Sequence, residues 1–160
     1  MAAHDYRERL WLGPVGWLSA LGFAVSLGIA YAAATTALWG WIVAGLCAVT
    51  AAAFAVRSAP VVAVERTYVS AGRARIPVSQ LDGARALSAA EVTALRRNPE
   101  GSRGWWCAPG WVRTAVLLTV NDESDPHAFW VVATRRPEKL TQVLAVAGVP
   151  RLRHEPTSDR

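Results

Sequence analysis

The chain has 160 residues and a formal net charge of +5, from 17 basic and 12 acidic side chains. That length holds one membrane hairpin and one soluble domain of about a hundred residues, and excludes a second soluble domain. The basic excess is nearly all arginine, with Lys139 the only lysine, and no basic helix or aromatic-studded sheet motif of a nucleic-acid binder accompanies it, so a nucleic-acid partner is excluded.

From Leu10 to Val56 there is no charged residue. A charge at the centre of a spanning helix costs about 2.5 to 3.5 kcal/mol on insertion scales, and one span needs roughly 20 apolar residues, so this stretch predicts two spans. We place them at 14–33 and 37–56, after a cytoplasmic N-terminal segment 1–13. The turn falls between Ala32 and Leu38, where Tyr31, Thr35, Thr36, Trp39 and Trp41 interrupt the Ala, Leu, Gly and Val text. Trp11 and Trp17 mark the entry of the first span. Gly22, Ser26, Ala30 and Ala34 recur every fourth residue in the first span, as do Gly40, Ala44, Ala48 and Ala52 in the second, a spacing that lets helices approach closely. Arg7 and Arg9 precede the spans, Arg57 and Arg66 follow them, and the connecting loop has no positive charge. The positive-inside rule therefore puts both termini in the cytoplasm of a multi-pass cell-membrane protein. A cleaved signal peptide ending at Ala30-Tyr31-Ala32 is the rival reading; Asp5, Glu8 and the immediate second span argue against it.

After Pro60, Val61 to Val69 predicts a strand, Ser70 to Gly72 a turn, and Arg73 to Val78 a second strand that completes a hairpin. Ser88 and Glu91 have capping-box spacing, which starts a helix over Ala89 to Arg97. Asn98 to Gly110 reads as an irregular loop. Strands follow at Val112 to Val120 and Ala128 to Thr134, joined by an acidic turn. Pro137 opens a final helix that Gly148 and Pro150 close, with Leu140, Val143, Leu144 and Ala147 toward the sheet. The tail 151–160 is expected to be disordered. The fold class is α+β: an N-terminal transmembrane α-hairpin, then a small β-rich cytoplasmic domain, 57–150, with a C-terminal helix, pleckstrin-homology-like (PH-like) in outline.

Tyr6 to Leu10, the GRARIP segment Gly72 to Pro77, and NDESDPHAFWVVATRRPEKL from Asn121 to Leu140 resemble an uncharacterised actinobacterial family of two-span membrane proteins, DUF3093-like. The family's last segment reads close to D-P-x-D-P-x-P-Y-W-L-V-S-T-R-x-P. Asp125, Pro126, Trp130, Thr134, Arg135 and Pro137 match it; Glu123 stands where proline is usual and Phe129 where tyrosine is usual. The resemblance implies fold and compartment and carries no activity.

Three groups are candidate sites. Trp105, Trp106 and Trp111, with Arg97, Arg103 and Arg113 around them, either meet headgroups, the arginines holding phosphates bidentately, or fill the core. Arg73 and Arg75, with Arg135 and Arg136, either form a basic pocket for a lipid headgroup or an acidic partner segment, or are solvated strand-end charges. Asp122, Glu123, Asp125 and His127 resemble metal or acid–base material, but turn chemistry explains them, and no nucleophile, base and orienting partner accompany them. Cys47 and Cys107 make no disulfide framework, and His4, His127 and His154 make no zinc spacing. The expectation is a non-enzymatic module without cofactor, bound to the bilayer, with a membrane protein or an anionic lipid as partner; an enzyme acting on lipid at the inner leaflet is the alternative.

Overall fold

The computed structural model describes residues 6–122 and 125–152. The chain forms two compact units: one from Trp11 to Ala59, the other from the residues up to Leu10 together with those from Pro60 onward.

The first unit is a helical hairpin of α1 (Pro14–Ala34, 21 residues) and α2 (Ala37–Ser58, 22 residues). Pro14 starts α1 at the position where a missing N–H costs nothing. Thr35 and Thr36 separate the helices, as the break in composition predicts. At 1.5 Å per residue each helix is about 30 Å long, enough to cross a hydrocarbon layer. Both pass the length and composition requirement for a span. Two threonine hydroxyls bond back to the helix: Thr35 Oγ1 donates to Tyr31 O at 2.9 Å and Thr50 Oγ1 to Leu46 O at 2.8 Å. Large apolar side chains such as Leu18, Phe23, Ile29, Trp41 and Phe54 are exposed on the outside.

The helices meet on Gly28 and Gly40. A Cβ on Gly28 would lie 2.8 Å from the Gly40 carbonyl oxygen, and one on Gly40 would lie 2.7 Å from that of Gly28. Ala44 is part of this contact, as the α2 spacing predicts, but the α1 stripe is different from the expected one. Ala24 and Gly28 are the buried residues of α1, while a Cβ on Gly22 would meet nothing within 4 Å. Two residues turn a helix by about 200°, so two small-residue series that differ by that offset lie on nearly opposite faces, and spacing does not choose between them.

The second unit is built from two four-stranded sheets. The first holds β1 (Tyr6–Arg9), β2 (Val61–Val64), β3 (Tyr68–Ala71) and β4 (Ala74–Pro77), antiparallel and in that spatial order. The second holds β5 (Leu81–Leu87), β6 (Gly104–Cys107), β7 (Ala115–Val120) and β8 (Phe129–Ala133) in the order β5-β7-β8-β6, with β6 parallel to β8. Helix α3 (Ala89–Arg97) follows β5, and α4 (Pro137–Val146) follows β8. The Ser88–Glu91 capping box is present as read: Ser88 N donates to Glu91 Oε2 at 2.8 Å and Glu91 N to Ser88 Oγ at 3.3 Å.

The main core brings together the row Tyr6, Val64, Val69 and Ile76 of the first sheet, Val116, Leu118, Trp130 and Val132 of the second, and Leu140 and Leu144 of α4. A smaller cluster on the other face of the second sheet joins Leu87, Ala115 and Val131 to Val92 of α3.

Several segments differ from what the sequence predicts or go unread in it. The run Val61 to Val69 is two strands, because the chain reverses at Glu65 to Thr67. Tyr6 to Arg9, before the helices, is a strand of the second unit. Leu81 to Leu87, with Gly83 and Asp82 blurring its alternation, is a strand, with an irregularity between Leu81 and Gly83. Within the expected loop Asn98 to Gly110, Gly104 to Cys107 is a strand. Arg151 and Leu152, expected in the tail, lie against β5: Arg151 bridges Ala84, and Leu152 N donates to Ala84 O at 3.0 Å. The rest of the tail, with His154, and likewise His4, Asp5 and Glu123, lies outside the described residues.

Candidate functional site

Strand β6 sends its two tryptophans to opposite sides, as the period of a strand requires. Trp105 packs into the main core, its ring centroid 4.4 Å from that of Trp130. Trp106 packs on the α3 cluster, and its indole N–H donates to Gly101 O at 2.8 Å. The Arg96 guanidinium lies 5.2 Å from the Trp106 ring centroid and donates to Ala108 O at 2.7 Å. Trp111 is more exposed, at 38%, yet its indole N–H donates to Leu10 O at 3.2 Å. These aromatics are therefore committed to packing and backbone bonding. An open cleft of about 660 Å³ lies beside Trp106, lined by Arg96, Arg97, Pro99 and Ser102 among others. Arg103 is exposed at the end of the short 3-10 turn Pro99–Arg103, and its carbonyl accepts from Ala128 N at 3.3 Å.

The most densely bonded polar group was not singled out by sequence reading. β1 alternates: Tyr6 and Glu8 point inward, Arg7 and Arg9 outward. Glu8 Oε2 accepts from the Tyr6 hydroxyl at 2.6 Å and from Thr134 Oγ1 at 2.5 Å, and Glu8 Oε1 accepts from Arg135 N at 3.2 Å. Thr134, fully buried, in turn accepts from Arg136 N at 3.0 Å, which ties the residue just before α4 to the network. Burial, then the hydrogen bond to the Glu8 carboxylate, pushes the Tyr6 phenol up to about 12. A phenol held neutral in the fold but ionised at about 10 when unfolded contributes stability fully present below pH 10 and lost as pH rises toward 12. We expect stability to drop by about 2 to 3 kcal/mol across that window, and Tyr6→Phe to abolish this step in denaturation curves recorded from pH 9 to 12.

Four of the candidate arginines divide into two pairs. Arg75 lies on β4 and Arg73 in the turn before it, both exposed, at one edge of the first sheet. Arg135 and Arg136, also exposed, follow β8, where the Arg135 amide donates to Glu8 on β1, the opposite edge strand, and the Arg136 amide to Thr134. Three strand spacings separate the edges, about 14 Å. The pairs therefore do not converge on one pocket.

The family described as a protein of unknown function, DUF3093, matches residues 5–144. The chain belongs to this family. No curated protein and no solved structure matches the chain. The DUF3093 match runs from the residue before β1 into α4, and so covers both halves of the Glu8 network.

Within the DUF3093 region, the Asp125-Pro126 turn braces itself. Asp125 Oδ1 accepts from His127 N at 2.9 Å and lies 3.0 Å from His127 Nδ1, while Oδ2 accepts from the Trp130 indole at 3.0 Å. Desolvation opposes ionisation of Asp125, but the hydrogen bonds from the His127 amide, the Trp130 indole and the His127 ring outweigh it and hold the carboxyl below its ordinary value. Asp122 accepts from Gln80 Nε2 at 2.9 Å. These acids do the turn chemistry that their spacing suggested. Asp125→Ala leaves the Trp130 indole without its acceptor and is expected to cost about 1 to 3 kcal/mol in denaturant unfolding. The wild-type contribution is present above the unfolded carboxyl pKa of about 4 and fades as pH falls below it. Cys47 and Cys107 are both free, and burial pushes the Cys107 thiol up, away from reactive thiolate.

Proposed function

We propose that this DUF3093 member is an integral membrane protein whose two helices span the bilayer as a hairpin, with both termini cytoplasmic, and whose α+β unit, PH-like in outline, is a non-enzymatic module that binds anionic lipid headgroups. The observation that carries this reading is the sorting of charge. The acids most suited to chemistry, Glu8 and Asp125, are spent on structural hydrogen bonds, whereas Arg75 on β4 and Arg73 in the turn before it are exposed. Guanidinium groups exposed in this way suit phosphate oxygens. Two helices of spanning length and the basic flanks Arg7, Arg9 and Arg57 support the membrane setting.

The test uses the full chain extracted from bilayers of equal phosphatidylcholine and phosphatidylglycerol, with the retained lipid counted by native mass spectrometry. Enrichment of the anionic lipid of about fivefold or more is expected, fading in high salt as the screening length falls from about 10 to about 3 Å. Retained lipid that mirrors the bilayer would overturn the lipid reading and point to a protein partner.

A further inference from the structure

The register of the first sheet places the arginines of β1 and of the β3–β4 hairpin on one face. Arg7 pairs with Ala63, Ala63 with Ser70, and Ser70 with Arg75, so the four residues form one cross-strand row. The row before it along β1, Tyr6, Val64, Val69 and Ile76, points into the core, which puts the Arg7 row on the outer face. In the next outward row Arg9 pairs with Val61, whose carbonyl accepts from Gly72 N, and Arg73 follows in the same turn. Gly72 takes φ +63°, which fits this tight reversal to glycine and leaves Arg73 exposed beside the row. No acidic residue stands in either row; the acid of β1, Glu8, faces inward.

We propose that this outer face of the first sheet is the surface that meets the anionic headgroups of the bilayer, through Arg7 on one edge strand and Arg75 with Arg73 on the other. The inference rests on the reading under Proposed function and says which surface performs it. Its arginines lie on opposite edge strands, about 14 Å apart. That separation is wider than one phosphate and suits an array of headgroups rather than a single bound ion. The small residues Ala63 and Ser70 between them leave the guanidinium groups as the most prominent features. Along the chain, β1 runs through Leu10 to Gly13 into α1, and α2 returns through Ala59 and Pro60 into β2. Both connections leave the sheet at the end that carries Arg9 and Arg73. The Arg97 and Arg103 side of the molecule has neither this row geometry nor this chain connection.

The same lipid-retention measurement on the full chain tests it. The double substitution Arg7→Gln with Arg75→Gln is expected to return the anionic enrichment to the ratio of the bilayer, a loss of about fivefold or more. Arg97→Gln with Arg103→Gln is expected to leave it intact. Arg7→Lys with Arg75→Lys, which keeps the charge, is expected to retain most of it, which separates loss of charge from loss of fold. Enrichment that survives the Arg7 and Arg75 glutamines but falls with those at Arg97 and Arg103 would overturn this surface while leaving the lipid reading standing. An absence of enrichment in the unaltered chain overturns both.

Discussion

Glu8→Ala is expected to lower the stability of the α+β unit by about 3 kcal/mol, because it removes the acceptor of three donors at once and leaves the buried Tyr6 and Thr134 hydroxyls to compete for each other. Glu8→Gln keeps the shape and one carbonyl oxygen and should cost about half as much. Arg7→Ala, one residue away on the outward face, should change stability by less than about 0.5 kcal/mol. Denaturant unfolding of the detergent-solubilised chain, followed by the fluorescence of its eight tryptophans, among them the Trp105–Trp130 pair in the core, measures these losses. Equal losses from Glu8→Ala and Arg7→Ala would show that the network is not what holds β1 in place.

Gly28→Val and Gly40→Val should each force the hairpin apart at its closest point. The new Cβ would collide with the opposing backbone carbonyl, which, unlike a side-chain tip, has no rotamer to escape into. Overpacking of this kind costs about 1 to 3 kcal/mol, and here the upper end is expected. Gly22→Val and Gly45→Val are the controls, since a Cβ at either position meets nothing within 4 Å. Resistance to unfolding by a denaturing detergent should drop for the first pair and hold for the second. The reverse pattern would restore the Gly22 stripe as the contact face.

The elements that sequence reading placed well are those whose signals are local. Pro14, the threonine break, the Ser88–Glu91 box and Pro137 each fix an end by chemistry within a few residues, and all four helices follow. Strands β1, β5 and β6 escaped because their evidence is distant. β1 is four residues whose hydrogen-bond partner comes more than fifty positions later, and nothing near Tyr6 announces it. β6 lies among Gly, Pro and Ser, and its two tryptophans, open in the sequence between headgroups and core, are divided by the strand between two core clusters. The Glu8 network shared this difficulty. Its two halves sit in the segments that carried the family resemblance, YRERL and TRRP, yet only the fold shows that they touch. Asp125 was legible as a turn acid, but its bond to the Trp130 indole was not.

The pairing of β1 with β2 has an architectural consequence. Arg9 faces Val61, and Leu10 N donates to Pro60 O at 3.0 Å, so the chain leaves and re-enters the domain across a single ladder step. Topologically the helical hairpin takes the place of a β-turn, an insertion spliced into a two-stranded ribbon. During synthesis β1 must wait until both helices and the returning strand have emerged. Its pairing then closes a loop whose entropy cost grows only slowly with length. The helices therefore cannot be cut away together with everything before them without also removing β1 from the sheet.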